Sequence, residues 1–236
     1  MKTNIDVVDF HTHILHGVDH GSKSLDVSLK QLEIASSHGV SRIVATSHFY
    51  PHKHTLDAFL QSRNNAACEL LENHKDNKIQ VKLGAEVLLC PGLENFASLE
   101  KLCFSGTKYL LLELPFLDFK NEYCDTVEAL LDDGFDVILA HADRYPKENI
   151  NTLISLGVNK LQLNAESLAK FIKVKHIYSW IESGYVVALG SDIHGLDDSA
   201  YKRFSKAKAK LSDKISVIKR HSDKIWADVE EFSTKI

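Results

Sequence analysis

Seven short apolar runs alternate with helical patterns along this chain, and most of the runs end in a histidine or an acid. That repetition constrains the fold more than any other feature. The first run, from residue 5, ends in His11-Thr12-His13. Arg42-Ile43-Val44-Ala45-Thr46 leads into Ser47-His48, and residues 79–85 lead into Glu86. Tyr109-Leu110-Leu111-Leu112 ends at Glu113, and residues 135–140 end at His141. Lys160-Leu161-Gln162-Leu163 is the sixth run, and residues 185–190 lead into Ser191-Asp192-Ile193-His194. Between them, apolar residues recur at helical spacing, as in Leu25, Leu29, Leu32, Ile34 and Ala35, and Gly39, Gly134, Gly157 and Gly184 punctuate the segments. Further helices are expected near residues 56–73, 122–133 and 168–183, with Lys/Ala-rich helices at the end.

Buried strands alternating with helices predict parallel βα units. No linker, repeat or low-complexity segment divides the chain, so residues 1–236 are expected to form one domain, with a helical tail from about residue 212. Closure into a barrel is the expected architecture. An open doubly wound sheet brings together only the strand ends near its switch point. A barrel gathers all of them at one mouth.

The residue types at that mouth carry the chemistry. Residues i and i+2 of a strand share a face, so His11 and His13 are expected to project together. With His20 in the first loop, the cup would hold His11, His13, His20, His48, Glu86, Glu113, His141, Asp192 and His194. At roughly three or four protein ligands per catalytic ion, this set suits two or three ions with open positions. Each residue has an ordinary reading alone, such as Asp192 as a helix cap or Glu86 facing solvent. Packed together without metal, so many carboxylates and imidazoles would repel one another and lose hydration.

Composition narrows the remaining classes. A net charge of -4 gives no basic surface for nucleic acid. No apolar run is long enough to span a bilayer, and the N-terminus leads into a strand without a signal-peptide pattern, so a cytoplasmic protein is expected. Cys68, Cys90, Cys103 and Cys124 show no Cys-x-x-Cys spacing, and none has an arginine six residues later, as a thiolate-based phosphatase would need.

Asp9-Phe10-His11-Thr12-His13, Thr46-Ser47-His48, Gly84-Ala85-Glu86, Leu112-Glu113, Ala140-His141 and Gly190-Ser191-Asp192-Ile193-His194 resemble the successive motifs of the polymerase-and-histidinol-phosphatase (PHP) superfamily. Two stretches, residues 13–21 and Ala140-His141-Ala142-Asp143-Arg144-Tyr145, resemble its bacterial metal-dependent protein-tyrosine phosphatases of capsule and exopolysaccharide clusters. The resemblance implies a distorted (β/α)7 barrel with three metals, manganese first and zinc or iron as alternatives. By similarity, His11, His13, Glu86 and Asp192 would hold the first metal. Glu86, Glu113 and His141 would hold the second, and His20, His48 and His194 the third. The chain carries Asp19-His20-Gly21 where that branch has Asp-Asp-Gly, which leaves Asp19 as an alternative ligand.

The implied reaction is hydrolysis of a phosphate monoester, with close metals clamping the phosphoryl oxygens and activating water. Arg144 would grip the phosphate, and Asp192 is a candidate to protonate the leaving oxygen. The loop after His194 has no arginine, and His52 and Lys53 are the substrate contacts expected instead. The implied partner is the phosphotyrosine-bearing tail of a membrane-anchored bacterial kinase. The alternatives are a small-molecule phosphatase acting on a compound such as histidinol phosphate, and a non-catalytic regulatory module.

Overall fold

The structure, a computed structural model, describes residues 6–74, 78–116, 119–170, 174–211 and 214–232. In chain order the elements are β1 (Asp9–His13), α1 (Leu25–Ser37), β2 (Arg42–Ala45), β3 (His48–Phe49), α2 (Leu56–Asn73), β4 (Gln80–Leu83) and β5 (Glu86–Leu88). They continue with β6 (Tyr109–Glu113), α3 (Asn121–Asp132), β7 (Asp136–Leu139), α4 (Lys147–Ser155), β8 (Lys160–Asn164) and α5 (Ala165–Ala169). Then come α6 (Lys175–Glu182), β9 (Val186–Gly190), β10 (Ile193–His194), α7 (Asp198–Leu211) and α8 (Lys214–Asp228). Ser24 and Thr55 cap α1 and α2 through their hydroxyl oxygens, which accept from Val27 N and Ala58 N.

Paired strands follow the order β3-β5-β6-β7-β8-β9-β1-β2-β4, and every neighbouring pair is parallel. The two ends of that path are not free edges. β2 and β3 are successive pieces of one strand, and so are β4 and β5. β2 pairs β4 from Arg42↔Gln80 to Ala45↔Leu83, and β3 pairs β5 at His48↔Glu86. The ring therefore closes as the expected distorted (β/α)7 barrel. Beyond β9, β10 continues parallel to β1, pairing Thr12 with Ile193 and His13 with His194.

Several boundaries differ from expectation. Residue 5 and the expected start of the tail at 212 lie outside the described residues. β1 begins at Asp9, and the helix expected over 168–183 is two helices, α5 and α6, with 171–173 outside the described residues. The third run does not end at Glu86. It breaks at Gly84-Ala85, where buried Arg63 of α2 donates to the Gly84 carbonyl, and resumes with Glu86 as the first residue of β5.

The barrel interior is an apolar cluster of Val8, Phe10, Val44, Phe104, Leu111, Ile138, Ala140, Val187 and Ala188. Helix α8 and the residue after it close its lower end by adding Ile225, Trp226 and Val229 to that cluster. Lys82 of β4 secures the closure, donating from Nζ to the carbonyls of Trp226 at 2.9 Å and Val229 at 2.6 Å. The ammonium thus satisfies carbonyls at the end of a helix, where the helix dipole favours a cation.

Candidate metal centre

Three ligands reach the cup by simple alternation. Val44, Thr46 and His48 share a phase, as do Lys82, Gly84 and Glu86, and Tyr109, Leu111 and Glu113. The inward-facing Val44 and Leu111 belong to the barrel interior, so His48 and Glu113 continue its wall upward.

The other ligands arrive through backbone irregularities. Between Asp9↔Ile43 and Thr12↔Ala45, β1 spends one more residue than β2. This bulge lets Phe10 pack inside the barrel while His11 and His13 also face the cup. β9 carries a similar insertion opposite Leu161 and Gln162. His141 and Asp192 sit at φ 31° and 53°, two of the three non-glycine residues with positive φ among those described. Left-handed backbone costs energy for such residues and persists where surrounding contacts enforce it.

Eight of the nine expected ligands converge, in four overlapping groups whose donor atoms lie within 4.8 Å of one another: His13/His48/His194, His11/His13/Asp192, His11/Glu86/His141 and His48/Glu86/Glu113. Glu86 is central. Its Oε2 lies 3.1 Å from His11 Nε2 and 2.8 Å from His48 Nδ1, and its Oε1 lies 2.9 Å from His141 Nε2. Glu113 stands between His48 and His141, at 3.7 and 3.6 Å. His20, the ninth, is exposed and belongs to none of the four groups, but its ring stacks 4.9 Å from His48 and 4.6 Å from His194.

The donor atoms fit a cation. His48 Nδ1, Glu86 Oε2 and His194 Nε2 are buried without a hydrogen-bond partner, although His48 and Glu86 approach to 2.8 Å. His11 and His13 point Nε2 at each other across 3.2 Å. Lone pairs converging in this way need a shared positive charge.

Surrounding residues aim the imidazoles. His13 donates from Nδ1 to Asp19 at 2.7 Å, His11 donates from Nδ1 to Gln162 at 3.0 Å, and His194 donates from Nδ1 to the Asp192 carbonyl at 3.0 Å. Each bond fixes the tautomer that leaves Nε2 free for a cation. Asp19 also accepts from His48 N and Gly21 N. It is therefore committed to orienting His13, and His20 is the residue left to extend the His48–His194 face. Gly21 is required there, since a Cβ would lie 2.3 Å from that of His13.

β8 supplies no expected ligand, yet it builds the floor. Gln162 Oε1 accepts from the His141 backbone N–H at 2.7 Å as well as from His11. Its amide donates to Asn164, which donates to Asp192 Oδ2 at 2.9 Å. Arg144 Nη2 meets the same oxygen at 2.5 Å. Gly190 leaves room for Gln162, whose Nε2 would stand 2.6 Å from an added Cβ. Reading for charged and imidazole residues misses Gln162 and Asn164; their one visible signal is that both are polar and in phase on a buried strand.

Charge follows this geometry. Burial opposes the charged form of His13, but bonds to Asp19 and Asp192 and the charges of Asp19 and Glu86 raise its pKa to about 10. His141 is likewise desolvated but raised to about 9 by Glu113 and Glu86. Burial and the cationic His13 lower His194 to about 4. Asp192 is buried, yet His11, His13 and Arg144 hold its carboxyl well below the usual range. An ionised Asp192 paired with Arg144 is suited to binding a cation. His52 and Lys53 gather on Tyr50 beside the cup, with Lys53 Nζ 4.9 Å above its ring and the His52 ring at 6.1 Å. The cysteines are free thiols, and burial pushes Cys103 up to about 12, far from the thiolate a nucleophile requires.

A closed parallel barrel with a nitrogen-and-carboxylate cup over its strand C-termini defines a metal-centre α/β barrel of the kind that the PHP resemblance implies. The family described as capsular polysaccharide synthesis, CpsB/CapC, matches residues 7–227, and the chain belongs to it. It is 24% identical to tyrosine-protein phosphatase CpsB of Streptococcus agalactiae over 242 residues, covering 91% of this chain and 99% of that protein. It is 27% identical to tyrosine-protein phosphatase YwqE of Bacillus subtilis over 202 residues, covering 80% and 78%. A crystal structure from work on YwqE and Streptococcus pneumoniae CpsB superposes with a TM-score of 0.78 at 21% identity over 96% of each chain, which bears out the fold. No helix among the described residues is long and apolar enough to cross a membrane.

Proposed function

We propose that this protein is a metal-dependent protein-tyrosine phosphatase that acts in the cytoplasm on the phosphorylated tail of a bacterial tyrosine kinase in capsule or exopolysaccharide synthesis. The observation that carries the reading is the convergence of eight ligand side chains, Glu86 among them, in four overlapping groups at one cup, in a chain of the CpsB/CapC family. The relatives named as tyrosine-protein phosphatases cover most of its length and support the substrate.

His11, His13 and Asp192, with Glu86, would hold one divalent ion; Glu86, Glu113 and His141 a second; His48 and His194, with His20, a third. Manganese is the proposed occupant, with zinc or iron as alternatives. Bound there, the ions supply Lewis acidity toward phosphoryl oxygens and lower the pKa of water. The chain's own residues do the rest. Asp19 and Gln162 keep His13 and His11 in the ligating tautomer. Arg144, held at the rim by Asp192, offers its remaining N–H groups to the phosphate as a fork. A phenolate leaves readily, so the site needs no strong acid at the leaving oxygen.

The test is turnover of a phosphotyrosyl peptide, histidinol phosphate and p-nitrophenyl phosphate. It would use the protein as purified, after chelation, and after manganese, zinc or iron is restored, with His11→Ala beside it. Metal-restored turnover favouring the phosphopeptide is the expected result. Turnover of histidinol phosphate alone would move the substrate to a small molecule, and bound metal without turnover would leave a regulatory module.

A further inference from the structure

We propose that Tyr50 and Phe116 form the two walls of an aryl slot over the Glu86–Glu113 side of the cup, and that this slot selects aromatic over aliphatic phosphate monoesters. The inference rests on the phosphatase reading above and deepens it.

The placement follows from the strands. Tyr50 comes two residues after His48 and Phe116 three residues after Glu113, so both leave the barrel at its C-terminal mouth. Tyr50 stacks on His48, with centroids 5.1 Å apart and planes 20° apart, and Lys53 Nζ lies 4.9 Å over its ring. Phe116 lies 6.5 Å from His141 with planes only 15° apart. His48 and His141 in turn flank Glu113. The carboxylate pair is thus bracketed by imidazoles, and the imidazoles by a phenol on one side and a phenyl on the other.

Phe116 is not a stray exposed residue. It is 71% exposed, the most exposed large apolar side chain among those described. Its setting is nevertheless fixed. The Tyr145 hydroxyl accepts from Leu114 N at 3.1 Å and donates to Leu114 O at 3.0 Å, pinning the chain two residues before Phe116. The Tyr145 ring lies 6.1 Å from that of Phe116. An apolar face held in water next to a charged cup has a use if a flat ring covers it. Offset stacking and burial of that ring would favour a phenyl phosphate, and a short alkyl phosphate would leave the Phe116 face wet.

The test compares kcat and KM for a phosphotyrosyl peptide and a phosphoseryl peptide of the same sequence in the manganese-loaded wild type, Phe116→Ser, Phe116→Tyr and Tyr50→Leu. Metal content is measured alongside. The expected result is a loss of about tenfold in the aryl-to-alkyl ratio of kcat/KM for Phe116→Ser and Tyr50→Leu, carried mainly by the KM for phosphotyrosine. Phe116→Tyr should restore the ratio, and metal content should be unchanged. Wild-type preference for phosphotyrosine with an unaltered ratio in both variants would overturn the slot and leave the phosphatase reading intact. Wild type that prefers the phosphoseryl peptide would overturn the tyrosine-phosphatase reading itself. Equal loss on both substrates, or loss of metal, would make these residues structural.

Discussion

Asp19 Oδ2 accepts a 2.7 Å hydrogen bond from Nδ1 of His13 and turns that imidazole's Nε2 toward the cup. A carboxylate behind a ligating histidine fixes its tautomer and raises its basicity, and losing one typically weakens metal binding by about 10- to 100-fold. Asp19→Asn is expected to lose that much manganese affinity in calorimetric titration. His20→Ala should cost less, because His20 is exposed and only completes the His48–His194 face. The reverse ranking would make residue 20 the dominant ligand of that loop.

Gln162→Leu should harm both the fold and the metal centre. It strands the His11 Nδ1–H and the His141 backbone N–H in a fully buried site. Each unsatisfied donor costs about 1–3 kcal/mol. Urea unfolding of the metal-free protein would show that loss. Gln162→Glu keeps the acceptor and should retain more stability than the leucine variant.

Metal binding should release protons. In the metal-free protein His13 titrates near 10 and His141 near 9, so both are protonated at neutral pH. A ligating nitrogen must be neutral, so apparent affinity should rise as pH increases toward 9. Both folded pKa values lie above the ordinary imidazole value of about 6.5. Their stabilisation of the metal-free chain is complete below that value and is lost as pH rises through 9–10. Calorimetry in buffers of different ionisation heat reads the proton count, and a buffer-independent enthalpy would refute the expectation.

Arg144→Ala should lower kcat/KM for phosphotyrosine by about 10- to 100-fold, the scale of a lost charged hydrogen bond, with metal content retained. Arg144→Lys should recover only part of this, because an ammonium lacks the planar fork. An unchanged KM in both variants would remove Arg144 from substrate binding.

Lys82→Met tests the lower closure. It leaves the Trp226 and Val229 carbonyls without their donor and should destabilise the protein by about 2–3 kcal/mol. The expected readout is a lower urea midpoint.

The barrel and its ligand types were legible in the chain because both are local. Apolar runs set the strands, and His48, Glu86 and Glu113 follow the two-residue alternation of the wall below them. The position of the remaining ligands was also legible, since a strand's C-terminal end is a place in sequence. How they enter the cup was not. Phe10 and His11 face inward together only because β1 inserts a residue against β2, a register that both strands decide jointly. His141 and Asp192 adopt left-handed backbone that no histidine or aspartate prefers alone; Gln162 holds the first by its N–H, and pairing with His11 O holds the N–H of the second. The division of labour between Asp19 and His20, the floor built by β8 and the closure by α8 were likewise decided by tertiary structure. Each depends on groups far apart in sequence, and a side chain's local pattern carries no record of the partner that will meet it.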